Sequence, residues 1–231
     1  MNTRAAGDPD LAAVGALFGE PARAKVLLAL VDGRSLAASV LASEAGVAPS
    51  TASHHLARLV EAGLITAATR GRHRYFTLAG PQVADLIEAV ARVAPAQPVR
   101  SLRQGTRAHA VRYARSCYDH LAGRLAVAIA EALHENGALD ASDGAGYSVT
   151  AHGATVLAEL GVDARAGEIA RGCLDWTEQS DHIAGTLGRA LLSRLLELDW
   201  LRRDSRPRAV RLTEAGRTNI PLRLGVTLPQ L

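Results

Sequence analysis

Between Ala38 and Gly80 the spacing of apolar residues predicts two helices followed by a hairpin. From Pro49 to Gly63, Leu56, Leu59 and Val60 recur at three- and four-residue steps and so share one helical face. Pro49 suits a first helical position, and Gly63 suits the left-handed cap that stops a helix. The opposite face gathers Thr51, His54, His55 and Arg58, with Ser50 and Ser53 beside them. A shorter helix precedes it over Ala38 to Ala45, with Val40 and Leu41 expected inward, and Gly46-Val47-Ala48 makes the turn between the two. After Gly63 the period drops to two. Leu64 to Ala67 runs outward, Thr69-Arg70-Gly71-Arg72 forms the tip, and His73 to Leu78 returns with Phe76 and Leu78 on one face.

Helical spacing continues on both sides. Asp10 to Phe18 places Leu11, Val14, Leu17 and Phe18 on one stripe, Pro21 opens a helix through Leu30, and Pro81 starts another to about Val93 with Val83, Leu86, Ile87 and Val90 inward. Ala94-Pro95-Ala96-Gln97-Pro98 cannot continue that helix. Residues 96–106 are therefore assigned to a basic linker that can also contact phosphates. A long helical pattern over Thr106 to His134 follows, with Tyr113, Leu121, Leu125, Ala128 and Leu133 inward; Gly137 to Gly146 breaks it, and a further helix covers Ala151 to Leu160. The class expected is mainly α with small β-hairpin wings: a winged helix over 1–95 and a helical C-terminal domain over 107–231.

A polar-faced helix ahead of a cationic hairpin suits duplex DNA. A helix fits the major groove, where base edges present distinguishable donors and acceptors, and a basic tip can lie along phosphates. The groups expected on DNA are Ser50, Thr51, Ser53, His54, His55 and Arg58 from the helix, with Arg70, Arg72 and Arg74 from the wing. The run SEAGVAPSTASHHLARLVEAGLI, followed by RGRHRYFTL, resembles the DNA-binding domain of the ArsR family of bacterial winged-helix repressors, over roughly the first 95 residues. That resemblance implies operator DNA as a partner and a two-fold homodimer built from the terminal and first helices of this domain.

Self-comparison adds a repeat. With Thr186 to Gly216 set beneath Ser50 to Gly80, a constant offset of 136 aligns Leu56, Arg58, Leu59 and Glu61 with Leu192, Arg194, Leu195 and Glu197 without gaps. Thr77, Ala79 and Gly80 meet Thr213, Ala215 and Gly216. This predicts a second winged-helix-like repeat at about 182–216. Leu187, Ala190 and Leu191 replace Thr51, His54 and His55, so its exposed face is expected to have become a packing face. Arg202, Arg203, Arg206, Arg208 and Arg211 keep a phosphate-binding wing in view.

The formal charge of +3 is unevenly spread, with five arginines and no acid over residues 96–115. The polar, acidic start MNTRAAGDPD and the absence of a long uncharged apolar run point to a cytoplasmic chain without a membrane partner. Two cysteines are too few for a disulfide scaffold.

The metal-sensing branches of the resembled family use cysteines before the recognition helix, or His and acidic ligands on the dimer helix. VLASEAGV has no cysteine, and the helix from Pro81 has Asp85 and Glu88 but no His. A different pair of segments draws the eye: SCYDHLAG at 116–123 and GCLDWTEQSDHIAG at 172–185 each carry a Cys, an Asp two residues on, a His and an Ala-Gly pair. Cys117, His120, Cys173, Asp175 and His182 are the candidate thiol or metal site, with Cys117 and His120 placed on one helical face. A pocket lined by Trp176 and Trp200 is the candidate for a small organic effector. The function expected is therefore a non-enzymatic, sequence-specific DNA-binding regulator, a dimeric repressor released by an effector or by thiol modification. No cofactor is specified beyond a metal ion or small molecule in that effector role. The alternative is a thiol- or metal-dependent enzyme that uses the winged helix as a packing module, with Cys117, Asp119, His120, Cys173 and Asp175 as a thiol-based site and no nucleophile elbow, phosphate loop or HExxH helix to support it.

Overall fold

The structure, a computed structural model, describes residues 8–95, 102–142 and 146–230. The chain divides into two compact units. One holds the chain up to Leu30 and Arg34–Val83; the other holds Val31–Gly33 and everything from Ala84 onward.

The first unit begins with α1 (Leu11–Phe18) and α2 (Pro21–Leu30), then β1 (Leu36–Ala37), α3 (Ala38–Ala45), α4 (Pro49–Glu61), β2 (Ile65–Arg70) and β3 (His73–Leu78). The sheet runs β1-β3-β2, antiparallel throughout, and Arg70 opposite His73 leaves Gly71 and Arg72 as a two-residue turn. Gly46 and Gly63 adopt φ of +72° and +69°, which only glycine reaches cheaply, and so stop α3 and α4 where the sequence predicts. Val26, Leu27 and Leu30 of α2 meet Leu41, Leu56, Leu59, Ile65 and Phe76 in a fully buried core. A winged helix-turn-helix results. Four expected core positions lie elsewhere: Leu11 is 78% exposed, and Val40 of α3 is 40% exposed because its neighbour Leu41 takes the inward position. The other two, Leu86 and Val90, belong to α5 (Pro81–Val93), most of which lies in the second unit; it buries Ala84, Ile87 and Glu88 and leaves these two and Val93 exposed.

The second unit continues with α6 (Leu102–Tyr113), β4 (Arg115–Cys117), β5 (His120–Ala122), α7 (Arg124–Glu135), β6 (Leu139–Ser142), β7 (Gly146–Val149), α8 (Ala151–Leu160), β8 (Ile169–Leu174) and β9 (Asp181–Ile183). It ends with α9 (Gly185–Glu197), β10 (Leu201–Arg203), β11 (Val210–Leu212) and α10 (Glu214–Leu224). Strands β6-β7-β8-β9 form an antiparallel sheet, while β4-β5 and β10-β11 form two-stranded ladders. Leu125, Ile129 and Leu133 of α7 meet Leu157, Leu187, Leu191 and Leu195 in its core.

Several expectations are corrected here. Residues 102–106 of the expected linker are helical, and 96–101 lie outside the described residues. The long helix over 106–134 is two helices with the β4-β5 hairpin between them. The loop expected over Gly137 to Gly146 contains strands that pair Leu139 with Val149 and Ser142 with Gly146. Helix α9 starts and ends 136 residues after α4, and β10 starts 136 after β2, which is the offset of the sequence repeat. Leu187 and Leu191 are buried on α9 where α4 has the exposed Thr51 and the half-buried His55. No described helix is long and apolar enough to cross a membrane.

Candidate nucleic-acid interface and thiol-imidazole cluster

Helix α4 is strongly two-sided. Ala52, Leu56 and Leu59 hold it to its core, and the other side exposes Ser50, Thr51, Ser53, His54 and Arg58. The Ser53 hydroxyl donates back to the Pro49 carbonyl at 2.9 Å, which leaves its oxygen as an acceptor. His55 is a correction: its side chain is only 12% exposed, and Nε2 lies 3.6 Å from Glu20, so it braces α4 against the loop before α2 rather than pointing outward. Along the wing, Arg70, Arg72 and Arg74 are exposed. The Arg70 and Arg74 guanidinium groups sit 5.8 and 5.3 Å from the rings of Tyr75 and Phe76, which stiffens two long cations without covering them. The result is a polar helix face beside a cationic ribbon.

The arginines of the β10-β11 ladder are engaged otherwise. Arg202 pairs with Asp199 and Arg206 with Asp204, Arg203 donates to the Ser116 hydroxyl, and Arg208 is buried against Glu88 of α5 with its backbone N–H on Asp32. Of the five wing arginines Arg208 is buried, whereas Arg202, Arg203 and Arg211 remain exposed.

The second cluster is built from two hairpins in one unit. Across β4-β5, Cys117 stands directly opposite His120; across β8-β9, Cys173 stands directly opposite His182. Opposed residues in an antiparallel pair project to the same side, so each hairpin presents a thiol with an imidazole. The shared helical face expected for Cys117 and His120 is thus replaced by cross-strand pairing. One ligand atom from each of the four residues lies within 4.8 Å of all the others. The two imidazole rings stack at 5.1 Å. Cys117, His120 and His182 are buried, and Cys173 is half-buried.

Asp175, the fifth candidate, stands behind the cluster. Its carboxylate pairs with the buried Arg115 at 2.9 Å, accepts the Gly123 N–H at 2.7 Å and lies 3.6 Å from His182 Nδ1. Burial alone would raise its pKa, but the Arg115 charge overrides this and holds the carboxyl well below its ordinary range. Asp119 plays the matching part for His120, accepting from Nδ1 at 3.2 Å while Arg189 holds it at 2.6 Å. The two free cysteines share a hydrogen bond, which together with burial pushes the Cys117 thiol up; the same contact, aided by both histidines, favours the thiolate at Cys173.

Arg115 and Arg189 lie outside the candidate set, and no spacing in the sequence marks them; Asp119, two residues after Cys117, belongs to the site of the enzyme alternative. The tryptophans do not share a pocket. Trp176 packs on the Arg115 guanidinium at 5.0 Å, and Trp200 lines a cavity of about 120 Å³ with Val156, Leu160 and Leu198, which is small for an organic ligand.

Comparison with known proteins adds the following. Residues 18–67 match the helix-turn-helix domain family. The chain is 40% identical over 226 residues to the HTH-type transcriptional regulator YdfF of Bacillus subtilis (strain 168), covering 96% of this chain and 100% of that protein. Similar solved structures include the homodimeric winged helix-turn-helix DNA-binding domain of Mb0332 from Mycobacterium bovis, a possible ArsR-family transcriptional regulator (30% identity, 37% of this chain and 86% of that one, TM-score 0.31). The cadmium metal-sensor CMTR from Mycobacterium tuberculosis is 31% identical over 40% of this chain and 100% of its own, with a TM-score of 0.32.

Proposed function

The chain belongs to the HTH-type transcriptional regulators, and from that premise we propose that it is a homodimeric repressor, acting in the cytoplasm, that reads operator DNA with α4 and releases it when its C-terminal unit responds to an effector or to thiol modification. The observation that carries this reading is the exposed face of Ser50, Thr51, Ser53, His54 and Arg58 on a helix whose other side is fixed in a core. These side chains can donate to and accept from base edges, while Arg70, Arg72 and Arg74 meet phosphates.

Two-fold assembly is supported by apolar residues exposed on the elements that would pair: Leu11 on α1, and Leu86, Val90 and Val93 on α5. Large exposed aliphatics on a helix face gain by being covered, and a two-fold partner brings an identical face. A dimer places two α4 helices about one turn of B-DNA apart, roughly 34–36 Å. Effector control would follow from linkage: a ligand that prefers a dimer geometry unable to span both half-sites weakens operator binding by that preference. Hydroxyl-radical footprinting on a bound promoter fragment tests the arrangement. Two protected patches about 10 base pairs apart, related by two-fold symmetry, are expected; a single asymmetric patch with one chain per duplex would overturn the dimeric reading.

A further inference from the structure

We propose that Cys117, His120, Cys173 and His182 form a closed, four-coordinate site for a zinc-class divalent ion within the C-terminal unit, held by two cross-strand Cys–His pairs and oriented from behind by Asp119 and Asp175. Four ligand atoms mutually within 4.8 Å already approximate the cage that a tetrahedral ion with bonds of about 2.0–2.3 Å draws together. Two thiolates and two neutral imidazoles suit a borderline-soft ion, where all-oxygen sites suit magnesium or calcium. Charge favours the same occupant. Two thiolates neutralise a divalent cation, so the buried site carries no net charge once the thiol protons have left to solvent.

The imidazoles supply independent support. His120 Nδ1 engages Asp119, and its Nε2 is buried with no hydrogen-bond partner among the described residues. His182 has both ring nitrogens buried without a hydrogen-bond partner among the described residues, Nδ1 lying 3.6 Å from Asp175, so a free Nε2 stands on each of the two rings. Leaving buried nitrogens unpaired costs free energy, and an ion would take up both. A carboxylate hydrogen-bonded behind a metal-binding histidine fixes its tautomer and ring plane, as Asp119 does for His120; Asp175 lies 3.6 Å from His182 Nδ1, and each carboxylate is itself held by an arginine, Arg189 for Asp119 and Arg115 for Asp175. With four protein ligands the ion has no open position, so its role is to clamp the β4-β5 and β8-β9 hairpins together rather than to catalyse.

The test uses the full chain without DNA, so its outcome is separate from that of the DNA-binding reading. Protein prepared under reducing, oxygen-free conditions is expected to hold one zinc per chain. The apoprotein, titrated with Co²⁺, should develop the visible bands of a four-coordinate ion and a thiolate charge-transfer band, both bleached by added zinc, and zinc should raise its melting temperature. Asp119→Asn should weaken zinc binding by about 10- to 100-fold while the fold persists. Because Cys117→Ser could fail to fold, His182→Cys provides a second arm: it retains four ligands and should strengthen the charge-transfer band through a third thiolate. Substoichiometric zinc with no Co²⁺ spectrum would overturn the site. So would a Co²⁺ spectrum of octahedral type, or one indifferent to His182→Cys, or a Cys117–Cys173 disulfide as the resting state of protein kept reduced.

Discussion

Arg58 and Arg72 carry the same charge on the same unit, but their placement assigns them different effects. Arg58 is exposed on the outward face of α4, which the proposed function sets against base edges, so Arg58→Ala should cost about 1–3 kcal/mol of discrimination at one base position. Arg72 sits at the tip of the wing, where Arg72→Ala should weaken every duplex alike and reduce the slope of log affinity against log salt by about one. Competition titrations at two salt concentrations separate these outcomes. His55 shows the limit of reading residues from periodicity: spacing places it beside His54, but only coordinates reveal Glu20 drawing it back against the scaffold. Arg115 is a comparable case. Within a run of arginines it looks like one more solvated cation, yet it is wholly buried on Asp175. Breaking that pair with Arg115→Ala strands a buried carboxylate and should destabilise the C-terminal unit by about 3–5 kcal/mol in urea unfolding.

Elements were legible where their period was long and their ends were marked. Helices α4 and α8 have the boundaries that Pro49, Gly63, Ala151 and Leu160 suggest, because amphipathic spacing and end signals agree. The β4-β5 hairpin was illegible. Its strands have three residues each, too few to establish alternation, and its turn is made by Tyr118 at φ +57°, so no glycine, asparagine or proline announces it. With Tyr113, Leu121, Leu125 and Leu133 falling at helical intervals around it, the segment passed for helix. Close approach of elements was equally hidden. A Cβ on Gly188 would collide with the Ile183 carbonyl and come within 3.1 Å of His120 Cβ, so Gly188→Ala should cost about 1–3 kcal/mol and loosen the contact between α9 and the hairpins. Thermal melts monitored at the tryptophans would show it. On α5, Val90→Asp together with Val93→Asp should shift sedimentation toward the single-chain species, since both positions are exposed in the isolated chain and neither supports its core; an unchanged sedimentation coefficient would move the dimer contact elsewhere.

At the scale of the whole molecule, one chain combines a unit that keeps a polar helix face outward with a unit that turns the matching face inward. The constant offset of 136 between α4 and α9 makes the contrast a direct one: the exposed Thr51 and the half-buried His55 on one helix stand where the buried Leu187 and Leu191 stand on the other, an exchange of polarity that sets a polar helix face against a packing face. The candidate ion site was half legible from sequence. The paired Cys-x-Asp and His-Leu/Ile-Ala-Gly patterns identified its members, but their convergence depends on the packing of two separate hairpins more than 50 positions apart, which no local pattern encodes. The measurement that bears most directly on the central claim is selection of duplexes from a random library by the full-length protein, followed by titration of the enriched duplex against a scrambled one of equal length. The enriched sequence is predicted to show two-fold symmetry and to bind at least about 10³-fold more tightly than the scrambled duplex, with Arg58→Ala eroding that preference. A protein that enriches no sequence, or whose preference survives Arg58→Ala intact, would contradict the assignment of α4 as the reading element.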